Sequence, residues 1–300
     1  MTRYDPAVSE FPSLPGAPAV LIAPFVAILG ALVGSFLNVV ILRVPERRSI
    51  VHPPSHCPKC QAPIRWFDNI PVLSWLLLRG KCRSCRAPIS ARYPAVEALT
   101  SLLFVAVVWK FGLQLHTAAY LAFTATMVAL TFIDLDHRII PNVISVPGIA
   151  AGVALAFVLP HSDGAWLPVG WKASLLGVVV GGGSLLVTAL AYEFVARREG
   201  MGMGDVKMLA MIGAFLGIGA VPFVFMASAL LGSVVGIVLM VVTGAGRKAA
   251  IPFGPFLAVA AIAYLFVGPE VMTAYMRRAL PPPSSQADAV SVPPSWGATR

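Results

Sequence analysis

The chain has 300 residues, 58% of them hydrophobic and only 12% charged, a balance too apolar for a water-facing surface to cover. That excludes an ordinary soluble protein and leaves the membrane class. The net charge of +9 is not read as a nucleic-acid signal, because the basic residues cluster in a loop beside apolar runs rather than on a soluble face.

In chain order, residues 1–19 form a polar, proline-containing extension with no short apolar core or cleavage site of a signal peptide. Apolar stretches near the length needed to cross a bilayer follow at about 20–42, 95–111, 117–134, 142–160, 172–195, 206–221, 223–243 and 252–272. The expected fold is therefore all-α and polytopic, with about eight transmembrane helices; the boundary at Gly219 to Pro222 is the least marked. The expected divisions are a first helix at 20–42, a loop at 43–94, a membrane core at 95–272 and a disordered tail at 273–300. With the N-terminus outside, sixteen of the 22 Lys and Arg residues fall in inside loops, which predicts that orientation and an even helix number. Glycine pairs such as Gly30 and Gly34, Gly213 and Gly217, or Gly232 and Gly236 read as sites of close helix approach. The Gly181-Gly182-Gly183 run, inside a span, reads as packing too, since no strand precedes it.

Two acidic clusters stand at span ends. Asp134 and Asp136 close the third span, where an acid faces the unfavourable end of the helix dipole. Ionisable groups at membrane depth are costly and usually functional. Asp205 follows Gly200, Gly202 and Gly204 at the start of the sixth span, where N-capping is the competing reading. The glycines argue for more than a cap, because they permit unusual backbone and close approach of another segment. An even number of crossings separates the clusters, so both return to one face and can meet. Two carboxyl groups in contact hold one proton between them, as in aspartic proteases: one activates a water while the other polarises the scissile carbonyl.

The loop holds Cys57-x-x-Cys60 and Cys82-x-x-Cys85, separated by twenty-one residues. This spacing predicts a structural four-cysteine zinc site, with His52 and His56 as free surface histidines. In a reducing cytoplasm disulfides are disfavoured. The loop's basic residues read as topology and as contact with membrane lipid, and no nucleic-acid partner is expected.

Several segments together resemble the bacterial prepilin peptidases, or type IV leader peptidases. They are Gly34 to Val40 around Asn38, the cysteine pairs flanking Trp66 to Trp75, Arg92 to Glu97, Asp134-Leu-Asp136 and Gly202-Met-Gly204-Asp205. The resemblance implies an aspartic endopeptidase of the bacterial inner membrane. Its substrates would be prepilins or pseudopilins, cut after a glycine ending a short basic leader at the cytoplasmic face. It implies Asp134 and Asp205 as catalytic residues and Asp136 as a neighbour. It also implies N-methylation of the new N-terminus with S-adenosylmethionine as donor, whose site residues stay unassigned.

Glu46, Asp68, Glu97 and Glu199 are candidates for meeting the basic leader, although pairing with nearby arginines is the favoured reading of each. Two rival functions remain. An ion-coupled transporter would place its acids near the midplane in broken helices. A non-enzymatic scaffold for pilus or secretion assembly predicts that replacing either Asp with Asn leaves substrate processing unchanged.

Overall fold

The computed structural model describes residues 19–161, 167–197, 202–243 and 251–279. The expected N-terminal extension, except its last residue, lies outside them. With no water to satisfy backbone amides in hydrocarbon, an apolar chain of this kind must form helices that close their own hydrogen bonds. Among the described residues the secondary structure is helical throughout: α1 (Ala19–Arg43), a 3-10 turn (Trp66–Asn69), α2 (Leu73–Leu77), α3 (Arg92–Phe111), α4 (Leu115–His137), α5 (Asn142–Val158), α6 (Trp171–Ala196), α7 (Met203–Leu216), α8 (Ala220–Thr243) and α9 (Gly254–Ala279).

Each of the eight expected apolar stretches is a helix. Six of them, α1, α3, α4, α6, α8 and α9, are long and apolar enough to cross a membrane. The other two are shorter: α5 has 17 residues and α7 has 14. The break between α7 and α8 falls earlier than Gly219, at Gly217, whose φ of 77° ends the helix in a conformation open to glycine. Helix α3 starts at Arg92 rather than 95, because Pro94 sits in the first turn, where its missing N–H costs nothing. The expected disorder from 273 is corrected over its first residues: α9 continues to Ala279, with Arg277 and Arg278 in its last turn, where cations favour the dipole. The rest of that tail lies outside the described residues.

Helix α4 has two buried faces. On one side Tyr120, Phe123, Met127 and Leu130 join Met208, Leu209 and Met211 of α7 and Leu257, Tyr264 and Leu265 of α9. On the other, Val128 and Ile133 join Val26 and Leu37 of α1 and Val96 and Phe104 of α3. Glycines let backbones touch, as the spacing predicts. A Cβ at Gly30 or Gly34 would stand 2.7 Å from the Cα of Ser101 or Glu97, and one at Gly213 would stand 2.1 Å from the Gly177 oxygen. Gly181 likewise lies against the Leu209 carbonyl of α7, while Gly183 faces open space, so only part of that run serves packing. Enclosed in this way by α5 and α6, α7 buries nine of its fourteen residues.

Candidate functional site

Four elements meet at one end of the bundle. Helix α4 ends on Arg138, which adopts a left-handed conformation and donates its N–H to the Asp134 carbonyl at 2.9 Å. The chain then passes through Ile139, Ile140 and Pro141 into α5. The start of α7 is fixed to the start of α5 by Lys207 Nζ, which donates to Asn142 Oδ1 at 2.8 Å. The start of α9 is fixed to the end of α4 by the Gly254 N–H, which donates to Asp134 Oδ2 at 3.0 Å.

Glycine allows both approaches. A Cβ at Gly254 would stand 2.7 Å from Asp134 Oδ2, and one at Gly204 would stand 2.9 Å from the Ile140 Cβ. Ile140 lies beside both glycines, so it connects the Asp134 and Asp205 segments. Asp134 is buried and Asp205 is partly buried. Through Ile140 and Gly254 the end of α4, which carries Asp134, and the start of α7, which carries Asp205, stand at the same end of the bundle. Two segments far apart in the chain thus come to one end of the bundle, the arrangement that the count of crossings predicts.

The N-cap of α7 is Gly202, and Asp205 is the third residue of the helix. Asp205 is therefore not the N-cap, although it still benefits from the helix's positive end. The glycines before it serve close approach more than unusual backbone: Gly202 has φ of −73°, and the crowded position is Gly204. Gly200 lies outside the described residues. Asp136 faces elsewhere, forming an ion pair with Arg92 at the start of α3. That pair ties the loop between α1 and α3 to the same end of the bundle.

Within this loop the four cysteines converge, with all their sulfurs within 4.8 Å of one another. Cys57 and Cys85 are 3.8 Å apart and Cys60 and Cys82 are 4.0 Å apart. A tetrahedral ion with metal–sulfur bonds of about 2.3 Å spaces its sulfurs by about 3.8 Å, so the group has the dimensions of a four-thiolate metal site. Its electrostatics fit as well. The N–H groups of Cys60 and Lys59 pull the Cys57 thiol down to about 6. Cys60, although drawn down by the Ala62 N–H, is pushed up to about 11 by the sulfurs of Cys85, Cys57 and Cys82. Four thiolates at this spacing need a cation to coexist, and a divalent ion supplies one.

A feature of the loop missed in the sequence reading is its internal repeat. Cys57-Pro-Lys-Cys60-Gln-Ala-Pro-Ile64 and Cys82-Arg-Ser-Cys85-Arg-Ala-Pro-Ile89 fold alike. In each, the first Cys donates its N–H to the Ala carbonyl (2.9 and 2.8 Å), and the residue after the second Cys, Gln61 or Arg86, has positive φ. Matching bridges, His56 to Pro63 and Lys81 to Pro88, close both knuckles. The repeated Ala-Pro-Ile after each pair is the sequence signal for it.

The candidate leader-binding acids are otherwise engaged. Glu46 pairs with Arg48 at 2.6 Å. Asp68 takes a two-pronged hydrogen bond from Arg83, which holds its carboxyl below the usual range. Glu97 is buried and accepts the Val72 N–H at 2.7 Å. Glu199 lies outside the described residues. His56 contacts the Pro54 carbonyl rather than joining the sulfurs.

A polytopic helical protein with paired acids and a four-cysteine loop at one end of its bundle is the class that fold and site define. The chain matches the bacterial peptidase A24 N-terminal domain over residues 28–111 and the type IV leader peptidase family over residues 121–237. It is 46% identical over 232 residues to the prepilin leader peptidase/N-methyltransferase of Myxococcus xanthus, covering 77% of this chain and 67% of that one. The protein of the same name from Neisseria gonorrhoeae is 41% identical, covering 79% and 87%, and that from Xanthomonas campestris is 37% identical, covering 85% and 94%. The chain belongs to the prepilin leader peptidase/N-methyltransferase family. No solved structure matches it.

Proposed function

We propose that this protein is a membrane aspartic endopeptidase that removes the short basic leader of prepilins or pseudopilins, cutting after a glycine, and then methylates the new N-terminus. The observation that carries this reading is the meeting of Asp134 and Asp205 at one end of the bundle. Sharing a proton, the pair does both halves of peptide hydrolysis. The ionised carboxylate takes a proton from the attacking water while the protonated partner polarises the scissile carbonyl. When the tetrahedral intermediate collapses, the proton passes to the leaving nitrogen. The Gly254 N–H orients the Asp134 carboxylate through one oxygen, leaving the other for chemistry.

Asp136, held by Arg92, is a positioning residue. The four thiols of Cys57, Cys60, Cys82 and Cys85 would hold zinc, which would close the loop in a structural role. In the second activity S-adenosylmethionine would supply the methyl group that the new α-amine receives, with no residue of this chain assigned to hold it. The acid-bearing end faces the cytoplasm, the N-terminus lies outside, and the bilayer is the bacterial inner membrane. The excess of Lys and Arg in the loops at that end supports this orientation.

The test is purified protein in lipid vesicles with a prepilin and a labelled methyl donor. The expected product is shorter by the leader and labelled at its new N-terminus. An uncut substrate overturns the peptidase reading; a cut but unlabelled product overturns only the methylation.

Gly254→Ala is expected to slow cleavage by about 10- to 100-fold, because the new Cβ displaces the Asp134 carboxylate, and small displacements of a reacting group cost this much. Gly183→Ala, where a Cβ meets nothing within 4 Å, serves as the control and keeps the wild-type rate. Equal rates for the two variants would separate the Gly254 contact from activity.

A further inference from the structure

The cysteine loop carries one apolar surface that neither the acidic pair nor the metal site uses. Helix α2 turns Ser74 and Trp75 inward, where Ser74 Oγ donates to the Phe67 carbonyl at 3.1 Å and Trp75 Nε1 to the Ile89 carbonyl at 3.1 Å. Leu73, Leu76 and Leu77, at i, i+3 and i+4, form the opposite stripe and point outward, 58%, 56% and 83% exposed. Trp66, at the start of the 3-10 turn seven residues before Leu73, is 82% exposed. Arg79 and Lys81 follow the stripe and are also exposed.

What covers the stripe follows from the depth at which it is anchored. Just before α2, the Val72 N–H is bound by Glu97, five residues inside α3. At 1.5 Å per residue that is about 7.5 Å beyond the helix start at Arg92. Helix α3 has 20 residues, about 30 Å, so it spans the hydrocarbon with little to spare. Its first turns therefore lie at the headgroup and acyl boundary, and the Val72 anchor lies there with them. Glu97 is fixed in its turn, since its backbone is pressed against Gly34 of α1.

The chain reverses sharply at this anchor. Val72 has φ of 60° and ψ of −51°, and the Leu73 N–H donates to the Pro71 carbonyl at 2.6 Å, a tight γ-turn at a β-branched residue. Strain of this kind persists only where surrounding contacts hold it, and here Glu97 does.

We propose that α2 and Trp66 form a membrane-inserted foot of the cysteine loop. Leu73, Leu76 and Leu77 lie in the acyl boundary of the bilayer, and Arg79 and Lys81 reach back to anionic head groups. Apolar residues on one face, a tryptophan at the edge and lysine or arginine alongside are the features of an interfacial helix. Both ends of the loop continue into spanning helices, so no separate membrane-targeting step is needed.

The test measures depth and does not depend on what the protein cleaves. Leu76→Trp and Leu77→Trp are reconstituted in vesicles containing anionic lipid and phospholipid brominated along the acyl chain, and the emission in excess of the parent protein is recorded. Lys59→Trp, at the tip of the first knuckle, is the reference. Size-exclusion profile and bound zinc confirm that each variant is folded. The excess emission at either leucine position is expected to be quenched at least about twofold more than at position 59. If neither leucine variant is quenched more than the reference, the foot is overturned. If their emission instead responds only to added prepilin, the stripe is assigned to a protein partner and the proposal fails.

Discussion

Asp134→Asn and Asp205→Asn each lower prepilin cleavage by about 10³-fold or more in vesicles, while membrane insertion and helical content match the parent. General acid and base catalysis is worth about 10² to 10⁴, and each variant removes both the proton and the charge that the pair alternates. Asp136→Asn is the informative neighbour. Its ion pair with Arg92 is about one third exposed on each side, where such pairs contribute roughly 0–1 kcal/mol. Its rate should therefore stay within about tenfold of the parent. Cleavage at the parent rate in both Asp134→Asn and Asp205→Asn would remove the acids from the mechanism. Methylation of a precleaved substrate, followed in the same samples, is expected to survive in the two Asn variants, which would assign the two activities to separate sites.

Cys57→Ser is expected to strip zinc from the protein, from about one ion per chain to less than a tenth of that. The variant exposes residues 44–91 to protease while leaving the membrane helices intact. The loop is held by short helical turns, two knuckles and contacts such as Trp75 with the Ile89 carbonyl, and a bound ion would join the two knuckles to each other. Structural zinc is worth about 10–16 kcal/mol in small zinc-folded peptides, and loss of one thiolate of four forfeits much of that. The pH dependence has a definite sign. Metal binding requires thiolates, so protons compete with the ion for the four sulfurs. Zinc should therefore be retained at neutral and alkaline pH and released on acidification. A wild-type protein that is folded, protease-resistant and metal-free at pH 8 would refute the site.

The helices and the meeting of the acids were legible because both follow from counting. Apolar run length fixes which stretches are helical, and the parity of crossings fixes which ends share a face. Geometry that depends on contact between distant segments was not legible. Nothing around Gly254 marks it as the donor to Asp134, since a glycine at the start of an apolar run reads as an ordinary boundary. Asp205 invited a capping assignment because acids are common at helix starts, and only the fold shows Gly202 in the N-cap position. Glu97 read first as the partner of a nearby arginine and second as a candidate for meeting the basic leader, whereas it is buried and accepts the Val72 N–H. The knuckle repeat was readable in principle, but attention to the cysteines alone concealed the shared Ala-Pro-Ile that follows them.

Helix α7, with 14 residues, is about 21 Å long, some 9 Å less than the hydrocarbon it sits within. A helix facing lipid would meet that deficit by thinning the bilayer or by tilting. This one is enclosed by neighbours of 17 and 26 residues, so the shortfall is taken up by protein. The depth of Asp205 is consequently set by the bundle and not by the lipid. A membrane whose thickness varies with composition or temperature leaves the spacing of the two carboxyl groups unchanged.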